Sequence, residues 1–184
     1  MKNEAEENAM TSLSAWKMAS TIFVLCAAMA IAASAQTFNT LADFEGNNGS
    51  YPDYISLIQS VDGNFYGTTL YGGQPGNNQC DLQGCGTAFK ITTQGVLTAL
   101  FSFCHQSGCT DGGVPVAGLV LATDGNFYGT GGGGGTHSGG TLFRLTQAGV
   151  MTTLYDFCGG GNGCGGPEDP FSPLVQGIGG NFRS

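Results

Sequence analysis

The sequence predicts an all-β fold made of β-propeller-like repeats, each a four-stranded antiparallel sheet. The seven residues DGNFYGT occur at Asp62–Thr68 and again at Asp124–Thr130, and a shortened copy, GGNF, lies at Gly179–Phe182. A GT-x-F-[KR]-[IL]-T segment and then a G-x-x-T-x-L-x-x-F segment follow each full copy. Four strands in about 40–60 residues, repeated along a chain, are typical of propeller blades. A solenoid and a β-sandwich are the structural alternatives. With roughly two and a half units present, a propeller built from them would be incomplete, since a ring normally takes about 4–8 blades.

The second unit shows how each strand is predicted. Leu119–Ala122 is a short apolar run, and the Asp124-Gly125 pair after it suits a tight hairpin turn, because aspartate and glycine tolerate a positive φ. The chain returns along residues 126–130 as the second strand. Residues 141–146 alternate between two faces, with Thr141, Phe143 and Leu145 on one and Leu142, Arg144 and Thr146 on the other, and Val150–Phe157 is the fourth strand. The chain after its leader shows no convincing helical periodicity.

The repeats divide the chain into a signal peptide at residues 1–35 and a β-repeat domain at residues 36–184. The predicted units of the domain are a partial unit at 36–56, units at 57–104 and 119–158, and a truncated unit at 174–184. Equivalent positions are predicted to form a recurring core between sheets: Phe65 and Phe127, Phe89 and Phe143, Leu100 and Leu154, and Phe103 and Phe157.

The leader has the layout of a secretory signal peptide. Lys17 precedes the apolar stretch Ile22–Ala33, and a small-x-small site ending at Ala35 stands before Gln36. A membrane-spanning helix needs about 20 apolar residues, and this stretch is shorter. We therefore expect an extracellular or cell-surface protein with no membrane span after cleavage. An uncleaved anchor is the alternative, and Met10 is an alternative start.

The charge of the predicted mature chain argues against nucleic-acid binding. Residues 36–184 contain three basic and ten acidic side chains, a formal charge of −7. An acidic chain with no basic patch repels phosphate backbones. The same composition, low in charge and rich in glycine, threonine, asparagine and phenylalanine, suits an extracellular β protein.

Six cysteines remain after the leader is removed, and an even number in an exported chain suggests disulfides. They fall into three local pairs, one in each of three loops: Cys80 and Cys85, Cys104 and Cys109, and Cys158 and Cys164. Fifteen pairings are possible, and local pairing is favoured because equivalent positions of neighbouring blades rarely come within the roughly 7 Å that a bridge requires. A zinc site of Cys104, His105 and Cys109 is the competing interpretation, although it lacks a matched C-x-x-C pair.

The chain carries the motifs DGNFYGT and GT-x-F-[KR]-[IL]-T, and through them it resembles the GloVer-type, choice-of-anchor tandem repeat of bacterial secreted proteins. The resemblance extends from about Leu41 to Phe182, which is nearly all of the mature chain. It implies an exported, cell-surface location and no established catalytic activity.

Several residues invite a chemical role, and for each a structural role is the favoured prediction. His137 has no marked nucleophile or orienting acid in the sequence, so we expect a solvated loop residue. Gly131–Gly135 lacks the lysine and the helix of a phosphate-binding loop. Asp62 and Asp124 are explained by turn formation, since the sequence has no complete calcium-binding loop. Three further loop acids would at most join a weak calcium site: Asp111, Glu168 and Asp169.

A surface of tyrosines for stacking sugars is a further alternative to half-buried packing. Its members would be Tyr66, Tyr71, Tyr128 and Tyr155. Asn48-Gly49-Ser50 matches a glycosylation sequon but is better explained as a turn.

The sequence thus predicts an exported, non-enzymatic repeat protein that acts as a scaffold or binding module. We expect no catalytic residue, cofactor or metal. An extracellular polysaccharide or protein ligand would meet the variable loops, because loops on a rigid scaffold are where recognition usually lies. These loops are Gly72–Cys85, Cys104–Gly113, Gly131–Gly140 and Cys158–Pro170. The alternatives are a secreted carbohydrate-active enzyme using Asp62 and Asp124, and a truncated fragment without function. Open sheet edges would favour self-association.

Overall fold

The computed structural model describes residues 38–53, 56–74, 80, 83–159 and 170–183 of the chain. The chain separates into two compact units, Met1–Asn39 and Thr40–Ser184, and every strand described below belongs to the second. The predicted signal peptide at residues 1–35 lies outside the described residues. No helix within the described ranges is both long enough and apolar enough to traverse a bilayer.

The first sheet has four antiparallel strands that pair in the order of the chain. They are β1 (Ile58–Gln59), β2 (Phe65–Thr69), β3 (Thr87–Ile91) and β4 (Leu97–Ser102). The predicted Asp-Gly turn joins β1 to β2. Gly63 there has a φ of 80°, which glycine adopts without strain. The sheet is the meander of four strands expected for one repeat.

The second sheet repeats this meander and adds one strand. After a short 3-10 turn at Ser107–Cys109, its strands are β5 (Gly113–Pro115), β6 (Val120–Leu121), β7 (Phe127–Gly133), β8 (Ser138–Leu145) and β9 (Met151–Cys158). Strands β6 to β9 correspond to β1 to β4, while β5 pairs with the far end of β7. The sequence did not predict β5.

The shortened third copy forms a two-stranded antiparallel sheet of β10 (Val175–Gln176) and β11 (Phe182–Arg183). All three sheets are antiparallel, and no α-helix occurs among the described residues, so the predicted all-β class is confirmed. The strand order of each described sheet is open, with no closure into a barrel or ring.

The glycine inside DGNFYGT lies where the phenylalanine of the next motif crosses it. Gly67 on β2 is opposite Phe89 on β3, and Gly129 on β7 is opposite Phe143 on β8. A Cβ at Gly67 would lie 2.7 Å from the Phe89 ring, and one at Gly129 would lie 2.6 Å from the Phe143 ring. No other residue leaves room for the ring, which explains why the two motifs recur together.

Successive sheets pack through the aromatic pair of the same motif. The Tyr66 ring of the first sheet lies 4.4 Å from the Phe127 ring of the second, measured between centroids. One repeat later, the Tyr128 ring lies 4.3 Å from the Phe182 ring, with the same interplanar angle of 33°. The tyrosine of each copy therefore contacts the phenylalanine of the next, and the contact between units is itself repeated.

A second aromatic contact joins the sheets on the GT-x-F strand. Phe103, which follows β4, packs edge-on against Phe143 of β8 at 5.1 Å, and Phe44 packs against Phe89 of β3 at 5.0 Å. Leu41–Phe44 (LADF) is similar in sequence to Leu100–Phe103 (LFSF), and Phe44 and Phe103 make equivalent ring contacts. Phe103, Phe89 and Phe143 are all buried, as predicted for the recurring core.

Other residues predicted for the core are not fully buried. Leu154 is 46% exposed, and Phe65 and Phe157 are only half-buried. Tyr66, in contrast, is 1% exposed because Phe127 covers it. Burial depends on which face the next sheet covers, and that differs between copies of one motif.

The predicted loop Gly131–Gly140 is mostly strand. β7 continues to Gly133 and β8 begins at Ser138, so only residues 134–137 form the connection. The reason is β5, which pairs Pro115 with Gly131 and Gly113 with Gly133. A Cβ at Gly131 would lie 2.8 Å from the Gly113 carbonyl oxygen, so the glycines permit a close strand approach.

Candidate functional site

The antiparallel topology places the long connections at one end of the strands and the tight turns at the other. β2 leads to β3, β4 leads to β5, and β7 leads to β8 at the same end. We call this end the loop edge and define it by residues 83–86, 104–114 and 134–138. The opposite end, the turn edge, contains the turns at residues 61–64, 92–96, 123–126 and 146–150.

Backbone hydrogen bonds join the connections of the two sheets into one surface. The Val114 N–H donates to the Cys85 carbonyl at 2.8 Å, and the Gly135 N–H donates to the Cys109 carbonyl at 2.8 Å. The Cys104 N–H donates to the Gly112 carbonyl at 2.8 Å and closes the loop between them. Three loops that the sequence presents separately are therefore held together.

Disulfides reinforce the same edge. Cys80 is bonded to Cys85 with Cα atoms 5.2 Å apart, and Cys104 is bonded to Cys109 with Cα atoms 4.1 Å apart. These are two of the local pairs that the spacing favours. Cys158 is also disulfide-bonded, and its predicted partner Cys164 lies outside the described residues.

The two disulfides lie against each other. The Sγ atoms of Cys80, Cys85 and Cys104 all lie within 4.8 Å of one another. The zinc alternative grouped Cys104 with His105 and Cys109. The structure instead brings Cys104 beside the first pair, and the His105 side chain is exposed. Sequence reasoning missed this cluster because Cys104 lies in a different loop from Cys80 and Cys85, after strands β3 and β4, and no local signal links the two loops.

A buried carboxylate shapes the loop between Cys104 and Cys109. Asp111 is 2% exposed and accepts hydrogen bonds from the backbone N–H groups of His105 (2.8 Å) and Gln106 (3.2 Å). In the preceding partial unit, the Asn48 side-chain oxygen accepts a hydrogen bond from the Glu45 backbone N–H at 2.7 Å. Asp111 therefore orders the backbone. Glu168 and Asp169, the other two acids of the weak calcium site considered above, lie outside the described residues.

The repeated aspartates lie on the turn edge and bond within their own turns. The Asp62 carboxylate accepts from the Asn64 backbone N–H (3.1 Å), the Asn64 side-chain amide (2.7 Å) and the Tyr66 hydroxyl (2.8 Å). Asp124 accepts the same three bonds from Asn126 and Tyr128, at 3.0, 2.8 and 2.9 Å. Turn formation, the favoured prediction, accounts for both carboxylates.

In each turn the pKa of the aspartate is lowered and the pKa of the tyrosine bonded to it is raised. Desolvation raises the pKa of Asp62, but the hydrogen bonds from Asn64 and Tyr66 together outweigh it and hold that pKa below its ordinary value. Desolvation and the hydrogen bond to Asp62 raise the pKa of Tyr66 to about 12. The Asn126 side chain is the main cause of the lowered pKa of Asp124. The turn therefore favours ionised aspartate and neutral tyrosine.

The four tyrosines considered for sugar stacking each pack against another aromatic ring. Tyr66 is buried against Phe127, Tyr128 lies on Phe182, Tyr155 packs edge-on against Phe157 and Tyr71 packs edge-on against Tyr51. Packing, rather than ligand binding, is the role these contacts show.

The exposed side chains of the loop edge are polar and uncharged. Both histidines of the protein are among them. The exposed set is Gln83, His105, Gln106, Ser107, Thr110, Thr136, His137 and Ser138. Thr110 donates to the Gln106 side-chain oxygen at 2.9 Å, and the Thr136 N–H donates to Asp156 at 3.0 Å, so part of this set is held in place. Such a surface offers hydrogen-bond donors and acceptors to a neutral polar ligand.

Comparison with known families agrees with the repeats seen here. A family model described as the Gloeobacter/Verrucomicrobia repeat matches residues 25–183. A search of curated proteins found no match.

Proposed function

The chain belongs to the Gloeobacter/Verrucomicrobia repeat family, and on that premise we propose that it is an exported, non-enzymatic repeat module that binds an extracellular ligand at its loop edge. The observation that carries the proposal is the joining of three loops into one ordered, uncharged polar surface. The repeated motifs form the packing between sheets, whereas the loops differ between units, and variable loops on a rigid scaffold are the usual place for recognition.

The bonding of the acidic residues supports a non-enzymatic role. Glycoside hydrolysis requires a pair of carboxylates facing one cleft. Asp62 and Asp124 each accept three hydrogen bonds inside their own turns, and Asp111 is buried against backbone N–H groups. Carboxylates used in this way order the chain, and the exposed loop-edge residues that are described include none.

A neutral polysaccharide fits the loop edge as a ligand. Amide, hydroxyl and imidazole groups pair with sugar hydroxyls without the desolvation of a formal charge. The formal charge of −7 for residues 36–184 opposes acidic polymers, nucleic acids among them. An extracellular protein is the second kind of ligand, and a panel that contains both distinguishes them.

We further propose that the sheets are arranged as propeller-like blades. Each full unit is a meander of four antiparallel strands, and successive sheets pack through the same residues of the same motif. Such radial repetition of blades is one way in which antiparallel proteins protect their edges.

The ligand proposal is tested on an immobilised panel of neutral polysaccharides and extracellular proteins. We expect binding that weakens at least tenfold in the double variant His105→Ala/Gln106→Ala. The matched control is Gln94→Ala, an exposed glutamine on the turn edge whose side chain bonds only its neighbour Thr93 in the described structure. Equal loss in the control, or no binding to any panel member, would contradict the proposal. Product release that Asp124→Ala abolishes would establish an enzyme instead.

Export is tested separately from binding. The full open reading frame is expressed in a bacterium with a secretion pathway, and the protein is recovered by cell fraction. We expect an extracytoplasmic product whose first residue is Gln36. A cytoplasmic product that retains Met1 or Met10 would refute export, whatever the protein binds.

A further inference from the structure

The disulfides at Cys80–Cys85 and Cys104–Cys109 form one sulfur cluster, which we name by these four residues. Sγ of Cys104 lies within 4.8 Å of both Sγ atoms of the other pair. The fold maintains this proximity. Val114 donates a backbone hydrogen bond to Cys85, and a Cβ at Gly113 would lie 3.2 Å from Cys85 Cβ and 3.8 Å from Cys80 Sγ. The chain after the second disulfide therefore holds the first against it.

The four cysteines differ in their exposure to solvent. Cys80 is half-buried, whereas Cys85, Cys104 and Cys109 are 3%, 0% and 2% exposed. Of the four residues, Cys80 has the largest exposed fraction, and we take it as the point of entry for a thiol in solution. Disulfide exchange requires the attacking thiolate to reach a sulfur, so the first attack is directed to one atom.

We propose that the sulfur cluster is a two-step thiol–disulfide exchange site that takes thiols of the glutathione class. The incoming thiolate bonds to Cys80 Sγ, the Cys80–Cys85 bond breaks, and Cys85 leaves as a thiolate. Cys85 Sγ then attacks Cys104 Sγ, the Cys104–Cys109 bond breaks, and Cys109 leaves as a thiolate that takes a proton from water. The number of S–S bonds is unchanged, so no further oxidant or reductant is needed.

The second step changes the loop at the centre of the loop edge. Cys104 and Cys109 have φ values of 59° and 52°, in the left-handed region that residues other than glycine rarely adopt. Their disulfide closes a short ring across these two positions. Opening that ring frees residues 104–109 from the constraint. A thiol that enters at Cys80 thus acts on a second loop, the one that connects the first sheet to the second.

The test uses the oxidised full chain and reduced glutathione. Samples are quenched with acid over time, alkylated and mapped without reduction. Cleavage before Asp81 and after Lys90 separates Cys80, Cys85 and Cys104 onto different peptides. We expect glutathione on Cys80 at least ten times more often than on Cys104 or Cys109, followed by a Cys85–Cys104 peptide and an alkylated Cys109. Equal labelling of the two disulfides, or absence of the Cys85–Cys104 peptide, would overturn the proposal.

A variant tests the second step without glutathione. Cys80→Ser leaves the Cys85 thiol beside Cys104, and we expect the purified protein to contain a Cys85–Cys104 bond and an alkylatable Cys109. The matched control is Cys158→Ser, which alters a cysteine outside the sulfur cluster and should retain Cys80–Cys85 and Cys104–Cys109. A Cys80→Ser protein with circular dichroism like the parent and an intact Cys104–Cys109 bond would refute the relay. If that variant does not fold, the glutathione experiment on the parent chain decides.

Discussion

Replacing Phe127 by alanine should destabilise the protein far more than the same change at Phe65, although both are the phenylalanine of DGNFYGT. Phe127 is 0% exposed because the Tyr66 ring of the preceding sheet lies 4.4 Å from it. Phe65 has no described sheet before it and is half-buried. The two variants therefore remove the same atoms from the same motif, and the difference between them measures the packing between sheets.

The expected magnitude follows from burial. Truncation of a fully buried phenylalanine to alanine lowers the free energy of unfolding by about 3–5 kcal/mol. This figure already includes the loss of the aromatic contact with Tyr66. Half-burial at Phe65 reduces the expected cost to roughly 2 kcal/mol on the same scale. For a domain of this size each kcal/mol lowers Tm by about 2–4 °C, so Phe127→Ala should lower it by ~12 °C and Phe65→Ala by about half of that.

The assay is urea unfolding followed by far-ultraviolet circular dichroism, since Trp16, the one tryptophan, lies in the predicted leader. Phe127→Leu serves as a milder variant if the alanine protein does not fold. The reasoning is refuted if Phe127→Ala and Phe65→Ala lower the free energy of unfolding by amounts within about 0.5 kcal/mol of each other, the usual scatter for independent sites.

Three further changes probe the repeat motifs. Gly129→Ala should lower the free energy of unfolding by about 1–3 kcal/mol through overpacking, because the new Cβ would lie 2.6 Å from the Phe143 ring; an unchanged urea midpoint would contradict this packing. Thr130→Val should raise the free energy of unfolding by about 1 kcal/mol, because the buried Thr130 hydroxyl has no hydrogen-bond partner among the described residues; a lower urea midpoint would show that the hydroxyl is bonded. The Tyr66 pKa is raised from 10.0 to about 12, so the folded state favours the neutral phenol. The resulting contribution to the free energy of unfolding is complete below pH 10.0 and is lost as the pH rises to about 12. The stability of Tyr66→Phe should consequently depend less on pH across this window; matching profiles for parent and variant would contradict the raised pKa of Tyr66.

The candidate site was predictable only in part. The spacing of Cys80 with Cys85 and of Cys104 with Cys109 indicates local pairs, and the variable loops indicate where recognition lies. That the two pairs lie together was not predictable, because they belong to two separate loops that the unpredicted strand β5 holds side by side. Gly131–Gly133 likewise resembles a loop in sequence and is a strand because β5 pairs with it.

The sequence by itself determined the all-β class, the order of the four strands within each full unit and the aspartate turns. These depend on alternation of side chains along a strand and on the φ preferences of neighbouring residues, which are local properties. Tertiary structure alone decided which copy of a repeated residue is buried. Phe127 and Phe65 share their local sequence, but among the sheets that the structure describes only Phe127 is covered by a preceding one, and that cover comes from Tyr66, some sixty positions away in the chain. The same distance in sequence separates the two copies of the motif, so no local pattern carries that information.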